Sequence, residues 1–83
     1  MRYEVEIRPS AVRDFKRLTA PVARRIIAKI EAMQDDLRGD VKRLASHTSE
    51  YWLRVGDYRV LFALENDKIM VYRVRHRREA YGR

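Results

Sequence analysis

Tyr51-Trp52-Leu53-Arg54-Val55-Gly56-Asp57-Tyr58-Arg59-Val60-Leu61-Phe62 is two strand-like runs separated by only two residues. β-branched and aromatic side chains dominate both runs, and Gly56-Asp57 has the length and composition of a tight hairpin turn. Neighbouring side chains on a strand point to opposite faces. Tyr51, Leu53 and Val55 therefore share one face, with Trp52 and Arg54 on the other. In the second run Tyr58, Val60, Phe62 and Leu64 share a face, with Arg59, Leu61 and Ala63 opposite. One side of the hairpin is apolar enough to receive helices. The other would expose Trp52, Arg54 and Arg59 together, and guanidinium groups beside an indole suit phosphates and stacked bases.

Downstream, a longer turn at Glu65-Asn66-Asp67-Lys68 leads to a third strand, Ile69-Met70-Val71-Tyr72, which runs straight into Arg73-Val74-Arg75-His76-Arg77-Arg78-Glu79-Ala80-Tyr81. Ile69 and Val71 share parity with Arg73, Arg75 and Arg77, so the strand is expected to leave the core near Val74. The tail would then curl back over the open sheet face. Upstream, Tyr3, Val5 and Ile7 alternate with charged residues, which predicts a half-buried first strand. Pro9-Ser10 ends it, with Ser10 as the expected N-cap of a helix through Leu18 whose buried face is Val12, Phe15 and Leu18. Thr19-Ala20-Pro21 opens a second helix, and Val22, Ile26, Ile30, Met33 and Leu37 form its apolar stripe, widened by Ile27. Gly39 fits just past its end. Residues 40–50 read as a loop. The order strand, helix, helix, three strands predicts one α+β domain over residues 1–83: a small, mainly antiparallel sheet with two helices packed on one face.

Composition narrows the function. The chain has 83 residues, no cysteine and a formal net charge of +7. Disulfide frameworks and thiolate metal sites are excluded. No apolar run spans a membrane and no signal-peptide core is present, so the expected location is cytoplasmic. Residues 1–41 carry 9 Lys/Arg against 7 Asp/Glu, a net +2, whereas residues 42–83 carry 10 against 5, a net +5. Positive charge concentrated on the half that holds the strand arginines points to a polyanionic partner. His47 sits in the expected loop with no companion for chemistry.

The layout resembles the RelE/ParE superfamily of bacterial toxins from type II toxin–antitoxin pairs, and is most similar to its RelE-like branch. The segments that carry the likeness are Arg38-Gly39-Asp40-Val41-Lys42-Arg43-Leu44, Leu53-Arg54-Val55-Gly56-Asp57-Tyr58-Arg59-Val60 and Val74-Arg75-His76-Arg77-Arg78-Glu79-Ala80-Tyr81. The resemblance implies a ribosome-dependent mRNA endonuclease, an mRNA interferase that inhibits translation, in which the 2′-hydroxyl attacks the adjacent phosphate without metal or cofactor. It implies as partners a cognate, RelB-like or other antitoxin, the ribosome and mRNA, with promoter DNA met only through the antitoxin complex. By position, Arg59 matches the strand arginine that contacts the reacting phosphate, and Arg54 a basic residue beside it. Arg77, or else Arg75 or Arg78, matches the tail arginine at the leaving oxygen. Tyr81 matches the tyrosine that stacks on the RNA, and Lys42 with Arg43 a basic pair gripping its backbone. Trp52 stands where the best-studied type has a lysine; it can stack on a base but cannot neutralise charge. No C-terminal helix is expected after the tail.

Charge stabilisation is thus amply supplied, whereas arginine remains protonated and is a poor base. His76, with an ordinary pKa of about 6.5, and Tyr81, at about 10, are the proton-transfer candidates. Two other functions fit the same resemblance: a ParE-like toxin that binds DNA gyrase without cutting RNA, and an inactive member that co-represses its promoter with the antitoxin.

Overall fold

The computed structural model describes residues 2–45 and 49–81, with the side chains of residues 80 and 81 excepted. In chain order the elements are β1 (Glu4–Ile7), α1 (Pro9–Phe15), α2 (Ala20–Ala32), β2 (Asp40–Arg43), β3 (Glu50–Val55), β4 (Tyr58–Glu65), β5 (Lys68–His76) and α3 (Arg77–Tyr81). The five strands form one sheet in the order β1-β5-β4-β3-β2. β1 runs parallel to β5 and every other pairing is antiparallel. The α+β class, the mainly antiparallel sheet and the apolar helix-facing side all follow the expectation.

The core lies between the sheet and the two longer helices. Leu53, Val60, Phe62, Ile69 and Val71 are fully buried from the sheet, and Ala11, Ile26, Ile30 and Met33 meet them from the helical side. α1 packs against β5 and α2 against β3. Tyr51 stacks on Phe62 with ring centroids 5.5 Å apart. The expected stripe of α2 holds through Met33, but Ile27 is exposed and does not widen it. The helix also stops earlier than periodicity suggests, at Ala32. Asp36 and Leu37 then take positive φ values of 59° and 57°, which breaks the helix while still returning Leu37 to the edge of the core.

Four further expectations are corrected. α1 begins at Pro9 with Arg8 as its N-cap, so Ser10 lies within the helix and its Oγ donates to the Tyr72 carbonyl at 2.6 Å. α1 also turns Ala11 and Asp14 inward, leaving Val12 exposed. Residues 40–43 form a strand paired along β3, because backbone pairing with a preformed hairpin can order a segment whose only apolar residue is Val41. The turn after β4 is two residues long, Asn66-Asp67, with Glu65 paired to Lys68 and Asn66 at φ 59°.

The largest correction concerns β5, which does not leave the core near Val74. Leu61 pairs with Arg73 and Phe62 with Val71, so one extra residue is accommodated as a β-bulge. That residue resets the alternation. Ile69 and Val71 face the core on odd numbers, Val74 faces it on an even number, and Arg75 lands opposite Arg59 on the open face. The chain then turns into the short helix α3, where a curling tail was expected.

Gly56 supplies the hairpin turn with φ of 57°. A Cβ there would lie 2.6 Å from Nη2 of Arg25, which reaches the turn from α2. A left-handed conformation costs an L-residue about 1–2 kcal/mol, and the flexible arginine end can move aside. Gly56→Ala is therefore expected to lower stability by about 1–2 kcal/mol, measured by urea denaturation; an unchanged midpoint would rule out strain at this turn.

Candidate nucleic-acid interface

Register across the sheet builds the open face one row at a time. Asp40 on β2 is opposite Arg54 on β3, Arg54 is opposite Arg59 on β4, and Arg59 is opposite Arg75 on β5. The next row is Lys42, Trp52, Leu61 and Arg73. Adjacent strands lie about 4.8 Å apart, so the three arginines span roughly 10 Å. Their environments differ. Arg54 is exposed, Arg75 is half-buried and Arg59 is only 9% exposed. Arg59 Nη1 donates to the carbonyls of Gly56 at 3.2 Å and Tyr58 at 3.1 Å. The hairpin turn thus holds the central guanidinium at its base, consistent with a preset phosphate fork. Trp52, Arg59, Leu61 and Arg75 line a small depression of about 130 Å³ on this face.

Asp40 was missed from sequence because its segment read as loop. Its Oδ2 stands 3.8 Å from Arg54 Nε, both side chains being largely exposed. It places a carboxylate at the end of the arginine row.

The other expected site residues are distributed unevenly. Lys42 joins Trp52 on the open face, whereas Arg43 is opposite Tyr51 on the helix-bearing side. There Arg43 Nη2 donates to the Tyr51 hydroxyl at 3.1 Å, so the expected basic pair is split between two faces. His76 is likewise opposite Tyr58, away from Arg59, and meets the Tyr58 ring edge-on at 5.4 Å. Its Nδ1 accepts the Arg78 backbone N–H at 3.3 Å. His76 therefore lies across the sheet from Arg59, although it lines a cleft together with Arg75. Arg77 opens α3, where its N–H donates to the Asp57 carbonyl at 2.6 Å and its guanidinium sits 3.9 Å from the Asp57 carboxylate. This joins the tail to the hairpin turn that also anchors Arg59. Arg78 is exposed on α3. The Tyr81 side chain and His47 lie outside the described residues.

One buried carboxylate organises the end of β5. Asp14 on α1 is 8% exposed. It accepts two hydrogen bonds from Arg73, at 2.8 and 3.1 Å, and the Val74 N–H at 2.8 Å. Burial alone would raise its pKa, but the bonds from Arg73 and Val74, with the charges of Arg73 and Arg75, hold it below the ordinary carboxylate range. The hydrogen bond to Asp14 raises Arg73 in turn. The clasp sits at the bulge that sets the facing of Arg75. Periodicity gave no warning of it, because a buried acid on a short helix resembles a surface residue until its partner sixty residues away is known.

Among the described residues, no group of three or more His, Asp or Glu side chains could hold a metal ion, and no helix is long and apolar enough to cross a membrane.

Comparison with known proteins agrees with this architecture. A family model described as the ParE toxin of type II toxin–antitoxin system, parDE, matches residues 5–81. Toxin RelE3 of Methanocaldococcus jannaschii is 33% identical over 75 residues, covering 84% of this chain and 85% of its own. The RelB–RelE antitoxin–toxin complex from Methanococcus jannaschii matches with a TM-score of 0.76 at 29% identity, over 90% of this chain and 93% of that one. A free mutant of E. coli toxin RelE matches with a TM-score of 0.78 at 16% identity, over 98% of this chain and 88% of that one, a likeness of fold alone.

Proposed function

Since the chain belongs to the RelE/ParE superfamily, as a toxin of a toxin–antitoxin system, we propose that it acts as a ribosome-dependent mRNA endonuclease. The observation that carries this reading is the in-register row Arg54, Arg59 and Arg75, with Trp52 beside it on the open face. A scissile phosphate over Arg59 would meet guanidinium groups from three adjacent strands, which suits the charge that develops on a phosphorane. The indole of Trp52 offers a stacking surface to a flanking base.

In this mechanism the RNA 2′-oxygen forms a bond to the adjacent phosphorus while the bond from phosphorus to the 5′-oxygen breaks. The products are a 2′,3′-cyclic phosphate and a 5′-hydroxyl end. The 2′ proton needs an acceptor, and Asp40, two strands from Arg59, reaches it only if the 2′-hydroxyl lies toward Arg54. The leaving 5′-oxygen takes a proton from Tyr81 or from water. Arg77 and Arg78 would hold the RNA backbone near the turn, and Lys42 would hold it on the β2 side. Ordering of the substrate by the ribosome contributes the remainder of the rate. A cognate antitoxin, of the kind named in the RelB–RelE complex from Methanococcus jannaschii, would cover the basic surface.

The alternative is a ParE-like toxin that binds gyrase. It is favoured by the family model that matches residues 5–81, which is described as the ParE toxin. Transcript ends mapped by primer extension after induction of the protein separate the two. Cuts phased with codons, present only in translated RNA and bearing 5′-hydroxyl ends, are expected. Intact transcripts with inhibited supercoiling would replace this reading with the alternative.

A further inference from the structure

A second basic surface lies around the end of β5, on the opposite side of the sheet from Trp52. It is a cleft of about 400 Å³ between α1, β5 and α3, and its walls include Arg17, Tyr58, Arg75 and His76. Two acids also line it. Asp14 is paired with Arg73, whereas Glu79 keeps its charge and its Oε1 accepts the His76 backbone N–H at 3.2 Å. Arg17 is exposed in the turn that follows α1, and Arg75 is half-buried with its charge acting on Asp14. Arg75 also lines the open-face depression with Trp52 and Arg59. One side chain therefore lines both surfaces and joins the arginine row to the cleft that holds Arg17.

We infer that this cleft is a second phosphate-binding subsite, which receives the backbone of a nucleotide flanking the cut once the RNA has passed the edge of β5. The inference rests on the RNA reading above. It follows from continuity: a strand seated on Arg59 and Arg75 meets Arg17 next, and arginine forks match phosphate oxygens. The Tyr58 hydroxyl and the His76 ring offer hydrogen-bonding atoms beside them. A subsite of this kind adds backbone affinity without base selectivity.

The test uses the isolated protein and two non-cleavable single-stranded RNAs, a trinucleotide and a decanucleotide, with binding followed by fluorescence anisotropy across a salt series. Arg17→Ala is expected to weaken the decanucleotide and reduce the slope of log K against log salt by about 0.7, the value for one phosphate contact on a single strand. Trinucleotide binding should be unchanged. The subsite is overturned if the decanucleotide slope does not move, or if both RNAs weaken alike. It is also overturned if Arg17→Ala alters only the binding of a glutamate-rich peptide, which would make the cleft a protein-docking site. Arg59→Ala keeps the two readings apart. It should weaken both RNAs, and its failure to do so would remove the open-face site whatever Arg17 does.

Discussion

Arg59→Ala is expected to reduce single-turnover cleavage by about a hundred- to a thousandfold, the usual cost of removing one preorganised donor from a developing oxyanion. The expectation comes from position. Arg59 is the middle of the three-arginine row, it is nearly enclosed, and the carbonyls of Gly56 and Tyr58 hold its Nη1. Those bonds are to backbone carbonyls beside a turn that water can reach once the side chain is gone, so their loss should cost about 1.5 kcal/mol, the lower end for bonds from a charged group. Loss of cutting in a domain that still unfolds cooperatively is thus the informative outcome. Arg59→Lys keeps the charge and loses the fork, and should fall between wild type and alanine. Full cleavage by the alanine variant would remove the arginine row as the site.

Asp14→Ala is expected to be the most destabilising change described for this chain outside the apolar core. Stripping one partner from a buried ion pair costs about 3–5 kcal/mol, and because Arg73 retains 37% side-chain exposure the loss here should be nearer about 2–3 kcal/mol. For a domain of this size that is a fall in Tm of roughly 10–20 °C. The pH dependence has a definite sign. The folded-state pKa of Asp14 is depressed below its unfolded value of about 3.9. The stabilisation is therefore fully present above about pH 4 and is lost as pH falls through the lower folded-state value. The difference in Tm between wild type and Asp14→Asn should be constant from pH 7 to 5 and shrink below pH 4. A gap as wide at pH 2 as at pH 7 would mean that the carboxylate charge contributes nothing.

The fold was legible wherever the pattern was local. The hairpin follows from Gly56-Asp57 between alternating runs, and with it the placement of Trp52, Arg54 and Arg59 on a single face. The α2 stripe follows from spacing alone as far as Met33. What escaped depends on partners distant in sequence. β2 has one apolar residue in four and exists because β3 offers it a ladder. Asp40 was lost with it, although it completes the row. Asp14 reads as a surface acid, yet its partners are Arg73 and Val74. The split of Lys42 from Arg43 is elementary once residues 40–43 are a strand, and invisible while they are a loop. His76 moved to the other face for a different reason: the parity of β5 changes within the strand, and a bulge has no residue signature of its own here.

That single extra residue between Val71 and Arg73 has a consequence for how relatives of this chain can diverge. Deleting it would rotate everything downstream by half a turn, sending Arg75 into the apolar interior and Val74 into water. A descendant that shortened β5 at this point could survive only by exchanging its oily and charged positions in the same step. Insertions and deletions here are therefore barred far more strictly than substitutions. Among natural variants, the length of this segment should stay constant even where its residue identities drift.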